Sequence, residues 1–191
     1  MNLRRALLGA MLSLGCTLEP DVVAMSSDGD GAEMSSDETA VSGGDVCVGL
    51  ECSCTESCST RCPSPGGVGC VFECSGAIDC DFECPGGACS TNCTNGATCN
   101  VDCNADLSAC PTTCQGAQQC TQQCSAGGCV VDCFATDVCE LACPGGLCSL
   151  TCSGGQTCRI TECTDGCTLD CGGAADCDNS CGLDGLCTTL P

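Results

Sequence analysis

The 19 residues Cys129-Val130-Val131-Asp132-Cys133-Phe134-Ala135-Thr136-Asp137-Val138-Cys139-Glu140-Leu141-Ala142-Cys143-Pro144-Gly145-Gly146-Leu147 decide how this chain folds. They hold two C-x3-C units, the first followed by five residues and the second by four. The same period recurs along most of the chain, so it is one structural unit repeated. First units open at Cys70, Cys89, Cys110, Cys129, Cys148 and Cys167 and close at Cys74, Cys93, Cys114, Cys133, Cys152 and Cys171. Second units open at Cys80, Cys99, Cys120, Cys139, Cys158 and Cys177 and close at Cys84, Cys103, Cys124, Cys143, Cys163 and Cys181. Both series advance in steps of 19, 21, 19, 19 and 19 residues. The longer step comes from Asn104 to Ala109, six residues where four are usual. One unit, Cys158-Arg159-Ile160-Thr161-Glu162-Cys163, has an extra residue, and the short link Thr164-Asp165-Gly166 compensates for it.

Residue types alternate inside the units, as in Cys99-Asn100-Val101-Asp102-Cys103 and Cys167-Thr168-Leu169-Asp170-Cys171. A period of two predicts strands. In extended backbone both cysteines share one face with the central Phe72, Phe82, Val101, Val131, Leu141, Leu150, Ile160 or Leu169, and polar residues take the other. Linkers such as Pro85-Gly86-Gly87-Ala88 and Ser153-Gly154-Gly155-Gln156-Thr157 carry turn chemistry. Two short strands per 19-residue repeat predict an all-β, disulfide-rich repeat protein, a flattened parallel β-solenoid whose coils pair strand to strand. Cysteines four strand residues apart are separated by roughly 13 Å, too far to bond each other. Bridges are therefore expected within a coil, across a turn or across a thin interior. In this the chain resembles the disulfide-filled β-helix of beetle antifreeze proteins, whose repeat is shorter; the resemblance implies architecture alone. The competing architecture is a string of small, knotted, loop-rich modules. Residues 47–69 have irregular cysteine spacing, with one C-x-C at Cys52 and Cys54, and are expected to cap the repeat domain of residues 70–191.

Cysteine has to be the main structural material. The chain has 31 in 191 residues, with no Trp or Tyr and three Phe, so the large apolar areas of an ordinary core are missing. Cross-links must replace them. Twenty-five acids face four bases, the formal charge is −21, and there is no His. Of the bases, Arg4 and Arg5 lie in the targeting segment, which leaves Arg61 and Arg159. So little positive charge excludes a basic footprint for nucleic acid.

A basic start, Met1 to Arg5, precedes the apolar run Ala6 to Leu14, which is too short to span a bilayer and marks residues 1–15 as a signal peptide. Leu12-Ser13-Leu14-Gly15-Cys16 resembles the lipobox of bacterial lipoproteins, with Ser13 and Leu14 departing from the usual pattern. That resemblance implies lipidation of Cys16 and membrane attachment through the lipid, as in a cysteine-rich surface lipoprotein. The alternative cut follows Val22-Val23-Ala24 and gives a secreted chain. Either cut leaves 30 cysteines to pair in the oxidising space outside the cytoplasm. Beyond Cys16, residues 17–46 hold no cysteine or aromatic, and acids are scattered among Ser, Gly and Ala. Residues 16–46 are thus expected to form the anchor and a disordered acidic tether.

Nucleophilic catalysis needs a base beside the nucleophile, and without His or Lys the hydroxyls have only carboxylates as partners. The expectation is therefore a non-catalytic structural or interaction protein of the cell envelope, with an unidentified protein or glycan partner and no required cofactor. The alternative from another class is a metal-thiolate protein, since many cysteines without histidine suit soft metals in a reducing compartment. Acids recur just before the closing cysteine, at Glu73, Glu83, Asp102, Asp132, Glu162 and Asp170, and near the opening one at Asp79, Asp137 and Asp176. If stacked in register, Glu73, Glu83, Asp102, Asp132 and Asp170 are candidates for weak calcium sites. The competing reading is charge that keeps strand edges soluble.

Overall fold

A computed structural model describes residues 45–63, 69–76, 78–86, 89–104, 110–181 and 187–190. The predicted signal, Cys16 and nearly all of the tether lie outside these residues. The described chain is all β. Its strands are β1 (Asp45–Val48), β2 (Glu51–Cys54), β3 (Cys58–Arg61), β4 (Val71–Ser75), β5 (Asp79–Cys84), β6 (Ser90–Thr94), β7 (Thr98–Cys103) and β8 (Pro111–Gln115). They continue with β9 (Gln119–Cys124), β10 (Val130–Phe134), β11 (Val138–Ala142), β12 (Ser149–Ser153), β13 (Thr157–Cys163), β14 (Thr168–Asp170), β15 (Asp176–Cys181) and β16 (Thr188–Leu190).

Successive strands go alternately to two sheets. Strands β1, β2, β4 and the even-numbered strands through β16 form the larger sheet, and the odd-numbered strands from β3 to β15 form the smaller. Every coil-to-coil pairing is parallel, and like positions face like positions. In the larger sheet Cys74, Cys93, Cys114, Cys133 and Cys152 stand in one line. In the smaller, Cys80, Cys99, Cys120, Cys139, Cys158 and Cys177 form another. This is a flattened β-solenoid of about six turns, and one period of 19 residues makes one coil.

The irregularities of the repeat are absorbed where they harm the ladder least. The two-residue insertion lies between Cys103 and Cys110, and the register on either side is intact, with Cys103 facing Cys124 and Cys114 facing Cys133. The extra residue before Cys163 becomes a bulge: the pairing of β13 with β15 slips between Ile160 and Cys163, and Glu162 adopts a φ of 58°. A bulge is how a sheet takes in one surplus residue. In residues 47–69, β2 and β3 join the same two sheets, so coiling begins before Cys70. Strand β1 folds back antiparallel on β2 and supplies backbone partners for that edge of the larger sheet.

The interior is a single layer of side chains. Strands β4 to β14 each place a central residue between flanking cysteines, and Phe72, Phe82, Val101, Val131, Leu141, Leu150, Ile160 and Leu169 are all buried there. The period also drives polar residues inward at the same position, and Thr91, Thr112 and Gln122 are buried. Gln122 Nε2 donates to the carbonyl of Cys110 at 3.0 Å, while Gln122 Oε1 and Thr112 Oγ1 have no hydrogen-bond partner among the described residues. Ala97, Ala117 and Thr136 close one edge of the layer, and Thr136 Oγ1 donates to the carbonyl of Cys114 at 3.1 Å.

Phe72 and Phe82 stack within one coil, with ring centroids 4.5 Å apart and 12° between planes. Phe72→Ala is expected to cost about 3–5 kcal/mol, the usual range for emptying a packed aromatic site. Denaturant unfolding of the oxidised protein measures it. A loss well below 1 kcal/mol, on the order of a surface substitution, would show that the ring is not part of a packed core.

Candidate functional site

Sulfur is the densest functional group in this molecule, and the coil decides where it goes. From β4 to β14 a five-residue turn joins each larger-sheet strand to the next smaller-sheet strand, and the cysteines flanking it are bonded: Cys74–Cys80, Cys93–Cys99, Cys114–Cys120, Cys133–Cys139, Cys152–Cys158 and Cys171–Cys177. The return turn is closed in the same way by Cys84–Cys89, Cys103–Cys110, Cys124–Cys129, Cys143–Cys148 and Cys163–Cys167. Cys54–Cys58 and Cys62–Cys70 extend both series toward the N-terminus. Cys52 and Cys187 are disulfide-bonded as well.

Bridged Cα atoms lie 5.8 to 6.5 Å apart, inside the range a disulfide spans and well under the ~10 Å of ordinary stacked sheets. Each of these thirteen bridges thus crosses a turn and the thin interior at once. Each coil is laced at both edges, with the central residue held between. Sulfur atoms of successive coils crowd together, as in the trio Cys54, Cys58 and Cys80, whose Sγ atoms lie within 4.8 Å of one another. Thiolates bind soft metals and disulfide sulfurs are not thiolates, so the metal-thiolate reading is not favoured.

The acids lie on the outer faces, divided between the sheets. Glu73, Asp132 and Asp170 occupy one line of the larger sheet, which runs Ser53, Glu73, Asn92, Thr113, Asp132, Thr151, Asp170. Glu73 and Asp132 are three strand steps apart, roughly 14 Å, and Asp132 and Asp170 two, roughly 10 Å. No two of these three carboxylates therefore stand on neighbouring strands of the larger sheet. Glu83 and Asp102 do stand side by side in the smaller sheet. Glu83 Oε2 there also meets Arg61 Nη1 at 3.7 Å, between exposed side chains, a pairing of small energetic weight. Glu162 is exposed on the bulge.

Arg159 lies among Glu140 at 3.4 Å, Asp178 at 3.5 Å and Asp176 at 3.8 Å. Arg61 and Arg159 therefore both meet carboxylates of the smaller sheet, and the field outside the solenoid is acidic. Near Glu83 a shallow depression of about 260 Å3 sets Ser59 and Thr121 beside Asp81, Glu83 and Asp102. A second, of about 320 Å3, lies over Val48, Ser53, Val71 and Glu73. Thr121 Oγ1 accepts a hydrogen bond from Gln119 Nε2 at 3.0 Å, and among the described residues the ionisable side chains lining both depressions are carboxylates.

The residues that pattern reading overlooked are the inward Thr91, Thr112 and Gln122, whose signal was their place midway between two cysteines rather than their chemistry. Together these features describe a disulfide-rich repeat protein whose bonding is consistent with an exported or extracellular location. No family model matches the chain, and comparisons with curated proteins and with solved structures return no match.

Proposed function

We propose that this chain is an exported, non-catalytic structural or interaction protein of the bacterial cell envelope. A lipid on Cys16 holds it to a membrane, the acidic segment of residues 16–46 spaces it from the surface, and the solenoid is the rigid acidic body presented to a protein or glycan partner. The observation that carries the reading is the lacing of successive coils by buried disulfides, which persist outside the cytoplasm and are reduced within it.

Two measurements test it. Cys16→Ser is expected to move the protein from the membrane fraction to the soluble one and to abolish incorporation of labelled fatty acid; an unlabelled wild type ends the anchor reading in favour of cleavage after Ala24. Counting thiols on unreduced, exported protein is expected to find essentially none. A count approaching the number of cysteines would return the chain to the metal-thiolate class.

A further inference from the structure

The bridges of one edge are stacked closely enough to exchange partners. Cys103, Cys110 and Cys129 have Sγ atoms within 4.8 Å of one another, and so do Cys124, Cys129 and Cys148. Cys129 belongs to both trios, so sulfur runs without a break through three successive bridges, Cys103–Cys110, Cys124–Cys129 and Cys143–Cys148. All six cysteines are buried. Neighbouring strands in a sheet are about 4.8 Å apart, within the Cα separation that a disulfide accepts. Bonds between coils are therefore as reachable as the bonds within them.

We propose that this column is a thiol relay, in which a thiol created in one coil moves to another by internal disulfide exchange. If Cys148 is freed, its thiolate attacks Cys124 Sγ; the Cys124–Cys148 bond forms, the Cys124–Cys129 bond breaks, and the electron pair leaves on Cys129. Cys129 then attacks Cys110 Sγ, forming Cys110–Cys129 and releasing Cys103 as thiolate. Each step makes one S–S bond and breaks one, and the proton lost by the first thiol is regained by the last, so nothing is oxidised or reduced overall. In the intact protein the first thiol comes from an external small-molecule thiol that attacks Cys143 Sγ: the mixed disulfide forms on Cys143, the Cys143–Cys148 bond breaks, and the electron pair leaves on Cys148. The relay lets a bridge opened or mispaired in one coil be resolved from another, without unwinding the solenoid.

Cys143→Ser supplies the starting thiol on Cys148 without any reductant. The folded variant is incubated anaerobically at mildly alkaline pH, quenched in acid, denatured, alkylated and mapped by mass spectrometry. Label is expected to be lost from Cys148 and to appear on Cys103, Cys110, Cys124 or Cys129, with none on Cys114, Cys120, Cys133 or Cys139 of the opposite edge. Cys103→Ser starts the relay from the other end, and label is expected to leave Cys110 for the coils beyond. Removing the middle bridge as well, by Cys124→Ser and Cys129→Ser in the Cys143→Ser background, is expected to keep all label on Cys148. Retention on Cys148 and on Cys110 in the two single variants overturns the relay. So does label spread evenly over both edges, which is scrambling through unfolding.

Discussion

Reduced in excess thiol without denaturant, the protein is expected to lose its β circular dichroism and become as protease-sensitive as an unfolded chain. The bridges close short loops, with sequence separations from four to eight, and loops of that size are worth about 2 kcal/mol each in the chain-entropy account. A handful of them already equals the ~5–15 kcal/mol net stability of an ordinary domain, and at least thirteen are formed. What remains after reduction is one layer of mostly small side chains, too little burial to order the backbone. Full retention of the β spectrum in reductant would show that apolar packing and the parallel ladder suffice alone.

Deleting a whole coil is expected to be tolerated, and deleting half of one is not. Removal of residues 129–147 takes out Cys133–Cys139 entire and one partner each of Cys124–Cys129 and Cys143–Cys148. Cys124 and Cys148 are then left at the spacing of the lost bridge, every later strand keeps its sheet, and a solenoid contacts only neighbouring coils. The variant should fold one coil shorter and contain no free thiol. Removal of residues 129–138 sends each following strand to the opposite sheet, so five-residue turns stack on the Gly-rich return turns. Those return turns pack backbone on backbone: a Cβ on Gly145 would collide with the carbonyl carbon of Ala126. Loss of order in all coils beyond, with heterogeneous bridges, is the expected result. Equal folding and oxidation of both variants would mean that the period has no structural meaning.

The strands and their inward residues were legible because a cysteine marks each end of nearly every unit and alternation fills the space between. Phe72 and Leu169 could be placed inside from the sequence for that reason. Thr91, Thr112 and Gln122 could not, because their polarity hides a position that only the ladder enforces. The acids show a different limit. Glu73 and Glu83 hold the same place in their motifs, yet consecutive units go to different sheets, so a line of acids in the sequence becomes two interrupted lines in space. Spacing excluded a bond between the two cysteines of one unit, but it did not separate bridges across turns from bridges across the interior. The coil is so thin that the two are the same bridge.

The most direct test of the laced solenoid is a disulfide map of exported, unreduced protein, made by proteolysis at acid pH where exchange is slow. The account predicts bonds between sequence neighbours throughout, Cys74 with Cys80, Cys84 with Cys89, Cys93 with Cys99, and so on to Cys171 with Cys177. A map dominated by crossing bonds that skip one or more cysteines, as knotted modules would give, contradicts it.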